Sequence, residues 1–92
     1  MTHVTDFAYS IEEFEVPSHP GIMIMLAWLN ISVERVNGDL SYTIDSIELE
    51  KADFKSCHSF VKGSFIYDIV VPHIYENEKI SASILSEARN HI

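Results

Sequence analysis

Ninety-two residues with 14 acids against six bases, a formal charge of −8, describe one small acidic domain, residues 1–92. That charge repels phosphate, which argues against direct nucleic-acid binding and against anionic membrane surfaces. A hydrophobic share of 47%, with only three Gly and three Pro, argues against disorder and for one modest core.

The opening stretch, MTHVTDFAYSIEEF, lacks the basic and apolar regions of a signal peptide. The longest apolar run, IMIMLAWL at 22–29, has eight residues where a spanning helix needs about 20. The single cysteine, Cys57, cannot close an internal disulfide. The expected location is therefore cytoplasmic.

From the N-terminus, Phe7, Tyr9 and Ile11 alternate as one face of a strand. The phase then slips, because Phe14 and Val16 fall on the other parity. A helix over 7–14 is the alternative, since Phe7, Ile11 and Phe14 are also helically spaced. The segment DFAYSIEEFEV (6–16) has a near copy in DLSYTIDSIEL (39–49), where Leu40, Tyr42 and Ile44 give way to Ile47 and Leu49 at the equivalent place. A β-bulge at Glu12-Glu13, and another at Asp45-Ser46, would return both apolar sets to one side.

Pro17, Pro20 and Gly21 mark a loop. Residues 22–29 lack alternation and read as a central strand buried on both faces. At a sheet edge the same run would need a covering chain, which makes Ile22, Ile24, Leu26 and Trp28 the candidate edge for a homodimer. Asn37-Gly38 then predicts a type I′ hairpin, with Val36 opposite Asp39, Val33 opposite Tyr42 and Ile31 opposite Ile44.

Residues 53–62 fit either a helix or a strand, with the balance toward a hairpin turned at Lys62-Gly63. Its second arm would be a strand, SFIYDIVV (64–71), ended by Pro72. The tail, about 78–91, is the best helix, with Ile80, Ile84, Ala88 and His91 on one stripe. The sum is an α+β fold: a small, mostly antiparallel sheet of four to five strands with a C-terminal α-helix.

No phosphate loop, Cys-x-x-Cys, zinc-protease or Gly-x-Ser-x-Gly motif is present. The five histidines are never at paired ligand spacing, and Cys57 and His58 are neighbours, a poor geometry for a thiolate–imidazole pair. Neither a cofactor, a metal nor an enzymatic activity is indicated. Tyr9, Tyr42 and Tyr67 could cluster, as could Phe7, Phe14, Phe54, Phe60 and Phe65; aromatics in β-rich chains are core by default.

The acids remain. Glu12, Glu13 and Glu15 on the first copy, with Asp45, Glu48 and Glu50 on the second, would form two anionic rows about 4.8 Å apart if the copies lay side by side. The plain alternative is a solvated, solubilising face. The expectation is a non-enzymatic interaction module that meets a basic protein surface, in its sharpest form as a nucleic-acid mimic. In size and acidity the chain resembles the small inhibitors carried by phages and other mobile elements, a likeness of composition only. The alternative is an oligomeric small-molecule binder with a pocket between subunits.

Overall fold

In the computed structural model, residues 2–50 and 57–92 are described. The chain runs β1 (Thr2–Glu15), β2 (Met23–Val36), β3 (Asp39–Glu50), β4 (Cys57–Val61), α1 (Phe65–Glu76) and α2 (Glu78–Asn90). The four strands form one antiparallel sheet in the order β1-β2-β3-β4, and both helices pack on one face of it. The fold is thus a small α+β domain, with two helices where the sequence suggested one.

The β2–β3 hairpin follows from its turn. Asn37 and Gly38 both take positive φ, 52° and 87°, as a type I′ turn requires. The register sets Val36 against Asp39, Val33 against Tyr42 and Ile31 against Ile44. Leu29, Ile31, Val33, Ile44 and Ile47 then share the helix-facing side and are fully buried or nearly so. The helix alternative for 7–14 is not realised, since those residues lie within β1.

The two phase slips have different mechanisms. On β3 the slip is a bulge: Ile44 pairs with Ile31 and Ser46 with Asn30, which leaves Asp45 as the extra residue. On β1 no register changes at Glu12-Glu13, because Glu12 pairs with Leu26 and Phe14 with Ile24. Instead β2 slips with it: Ile24 and Ala27 are both buried, three positions apart. Glu13 accommodates the shift with a φ of 49°. The register break of β1 lies between His3 and Thr5.

The sheet order bears on both readings of residues 22–29. β2 lies between β1 and β3, so among the described residues Trp28 is paired on both sides, with Ser10 and Glu48, while Ile24 and Leu26 pair with β1 and Ile22 precedes the strand. The run is not buried on both faces: Met23, Met25 and Trp28 are exposed on the side away from the helices. An antiparallel sheet covered on one side only explains this.

Residues 64–71 are not a strand. Lys62 and Gly63 turn β4 into α1, and Pro72 lies inside that helix. The buried positions Val70, Val71 and Ile74, with Ile66 and Tyr67 partly buried, recur at helical spacing. Their β-branched and aromatic character favours a strand locally, and packing against the sheet overrides it. Cys57–Val61 is the strand β4, while positions 53–56 of that ambiguous segment, with Phe54, lie outside the described residues.

Asn77 joins the helices. Its backbone N–H closes α1 on the His73 and Ile74 carbonyls, and its side chain accepts from the Ile80 N–H at 3.0 Å to open α2. On α2, Ile84 and Ala88 are fully buried, and His91 beyond it stacks on Phe7 with ring centroids 4.8 Å apart. Tyr9 donates to the Ser83 hydroxyl at 2.8 Å, and Tyr42 shares a 2.6 Å hydrogen bond with Ser81. Those contacts pin α2 across β1 and β3.

Candidate interaction face and two clefts

The helices cover one side of the sheet, and among the described residues the other side is built from outward-pointing strand residues. β2 runs through its middle as Met23, Met25, Leu26, Trp28, Asn30, Ser32 and Glu34. The two similar segments, in β1 and β3, flank β2 and not each other. The two acidic rows are therefore two strand spacings apart, about 9–10 Å, where side-by-side copies would have given half that.

Between the rows the face divides into an apolar and a polar half. At the end where β2 begins, Met23 is 54%, Met25 62% and Trp28 39% exposed. Pairing surrounds them with acids: Glu15 is opposite Met23, Glu12 opposite Leu26, and Glu48 opposite Trp28. Glu13 lies between Glu12 and Phe14 and is exposed. The matched slip of β1 and β2 produces this crowding, because it turns two consecutive residues of each strand outward. Glu50 ends β3 in register with Cys57.

In the polar half, Asn30 donates to the Ser46 hydroxyl at 2.8 Å and to the Glu48 carboxylate at 3.0 Å. Ser32 donates to Asp45 and is register partner to Asp6. His3 bonds Asp6 at 2.8 Å. That hydrogen bond and the charge of Asp6 raise the His3 pKa above its ordinary value, and the same bond lowers that of Asp6. Asp45 and Glu48 are thus held by neighbours, and the bulge aims Asp45 outward beside Ser46.

Aromatic expectations are met only in part. Tyr42 stacks on Tyr75, with centroids 5.4 Å apart, while Tyr9 lies apart with Ser83. Tyr67 donates to the Ile44 carbonyl at 2.5 Å, and the Ile44 N–H donates to the Tyr75 hydroxyl at 2.8 Å. β4 pairs with β3 only from Ser46 onward, so these two phenols cap the strand edge beyond it. Burial pushes both phenol pKa values up. No phenylalanine cluster forms among the described residues: Phe7 stacks on His91, Phe65 meets His19 edge-on, and Phe60 tilts against His58.

Two clefts adjoin the helices. One, of 460 Å³, lies beside the capped edge and is lined by Lys62, Tyr67, Asp68, Val71, Pro72 and Tyr75 among others. The other, of 630 Å³, lies where α2 leaves the hairpin end of the sheet and is lined by Arg35, Asp39, Leu40, Leu85, Arg89 and Ile92 around the Gly38 turn. In the sequence Arg89 reads only as a charge at the negative end of the C-terminal helix and Arg35 carries no signal, because they stand 54 positions apart and only the fold brings them to one cleft. Sequence reasoning also missed the exposure of Met23 and Met25, since apolar residues in a run without alternation look like core.

Among the described residues no three His, Cys, Asp or Glu side chains converge as a metal site, and no helix is long and apolar enough to cross a membrane. No protein-family model, characterised protein or solved structure matches the chain.

Proposed function

We propose that the chain is a non-enzymatic protein-interaction module whose helix-free sheet face receives a basic, partly apolar segment of another protein. One observation carries the reading: exposed Met23, Met25 and Trp28 lie among Glu12, Glu13, Glu15 and Glu48. Solvated acidic faces keep a protein soluble, but solubility gives no reason to place two methionines and the only tryptophan in their midst. Methionine adapts to varied surfaces, and tryptophan is a frequent interface anchor. Lysine and arginine fit such a surface with both parts of their side chains. Their alkyl stems lie on the apolar groups, their charges reach the carboxylates, and a cation can also settle on the indole.

A basic protein surface fits this face better than nucleic-acid mimicry does. Rows about 9–10 Å apart with an apolar strip between them do not reproduce a phosphate spacing of about 3.4 Å along one DNA strand. Occupying a basic surface needed by another molecule would make the chain an inhibitor, working in the cytoplasm. Self-association through residues 22–29 forms no part of the proposal, which rests on the outward face of β2 and not on its edge.

The test uses a defined partner. A peptide of alternating lysine and leucine, followed by NMR, should perturb the Trp28 indole and the Met23 and Met25 methyls, with affinity falling as salt rises. Trp28→Ala should weaken binding by roughly 2 kcal/mol with little loss of stability. Perturbations confined to the helices, or an equal response to a glutamate-for-lysine peptide, would contradict the proposal.

A further inference from the structure

We propose that the cleft between the β2–β3 turn and the end of α2 binds a small organic carboxylate with a short apolar body. Arg35 and Arg89 are the only arginines of a chain with charge −8, and both line this one cleft. Arg35 continues the inward phase of Leu29, Ile31 and Val33, a stripe that is otherwise apolar, and it pairs with inward-facing Leu40. Arg35 is exposed, and Arg89, in the last turn of α2, lines the cleft from the helix side.

Each arginine taken singly has a bland explanation. Arg89 offsets the negative end of α2, and Arg35 reaches the Gly38 carbonyl at a long 3.4 Å. Neither explains why the two share a cleft. Among the described residues neither forms an ion pair with a carboxylate, although acids outnumber bases 14 to six. Two arginines lining one concavity add like charge to it, and a bound anion offsets that charge. Their planar forks match a carboxylate in geometry as well as charge.

The remaining walls define the ligand. Leu40, Leu85 and Ile92 supply apolar surface for a short hydrocarbon body. Asp39, also in the wall, opposes a dianion, so a monocarboxylate fits better than a phosphate. This site faces the helix layer at the hairpin end, whereas the Met and Trp patch occupies the opposite face near the start of β2. The two proposals stand or fall independently.

The experiment titrates the whole chain with 4-methylpentanoate, its neutral amide and inorganic phosphate, followed by NMR at Leu85 and the arginine side chains. Saturable binding of the carboxylate is expected, with the amide and phosphate much weaker. Arg35→Gln and Arg89→Gln should each weaken it about tenfold or more, Arg35→Lys should rescue only part, and Asp39→Asn should tighten it. Melting curves verify that each variant is folded. No saturable response to the carboxylate, tighter binding of phosphate, or an affinity unchanged in the two glutamine variants would overturn the proposal.

Discussion

At the scale of single residues, the structure assigns cost and benefit to side chains that look alike in sequence. Glu12 and Glu13 are adjacent and exposed, yet only Glu13 has positive φ, 49°. Left-handed backbone costs a side chain about 1–2 kcal/mol, and glycine escapes most of that. Glu13→Gly should therefore raise stability by about 0.5 kcal/mol, whereas Glu12→Gly should lower it by about 0.5–1 kcal/mol; urea denaturation of the pair distinguishes them. The tyrosine cap behaves differently. Removing the Tyr75 hydroxyl leaves the Ile44 N–H without its partner, so Tyr75→Phe should cost about 1 kcal/mol.

The His3–Asp6 pair gives a pH signature with a definite sign. His3 has a raised pKa, so its contribution is complete below its unfolded value and is lost as pH rises through the folded one. Asp6 has a lowered pKa, so its contribution is present above its unfolded value and disappears as pH falls through the folded one. The bond is therefore strongest between the two titrations. Asp6→Asn should return the His3 midpoint, followed by NMR, toward an ordinary histidine value. Both groups are exposed, and the effect on stability is correspondingly small.

At the scale of elements, legibility in the sequence depended on whether local preference and tertiary packing agreed. The β2–β3 hairpin was legible to the residue, because Asn37-Gly38 demands one turn type and the apolar alternation fixes one register. α2 was legible because its stripe is strictly periodic. α1 was not. Ile66, Tyr67, Ile69, Val70 and Val71 favour strands, and Pro72 suggests a stop. The signals for a helix were fainter: Gly63 and Ser64 before it, Asp68 in its first turn, and the spacing of Ile66, Val70 and Ile74. Helical packing predicts that Ile74→Ala, at a fully buried site, costs about 2–4 kcal/mol. A residue in a loop beyond a strand would cost far less, and equilibrium unfolding separates the cases.

The candidate interaction face was half legible for the same reason. Its acids could be read from the outward phase of two strands, but which strands would adjoin depended on sheet order, which the hydrophobic pattern does not encode. Interposing β2 doubled the distance between the acidic rows and filled the gap with Met23, Met25 and Trp28. The arginine cleft was illegible, since its two sides meet only when α2 folds back over the hairpin.

At the scale of the molecule, charge and layering act together. Two helices cover one side of the sheet, and among the described residues no helix packs on the other. On that open side, Met23, Met25 and Trp28 gather near the start of β2, with Glu12, Glu13 and Glu15 on one flank and Glu48 on the other. The most direct test of this as a docking face is the fluorescence of Trp28, the only tryptophan, during titration with a basic amphipathic peptide. A saturable change is predicted, reduced by added salt and by replacing Glu12, Glu15 and Glu48 with glutamine. An unchanged emission while calorimetry registers binding, or an equal response after those replacements, would contradict it.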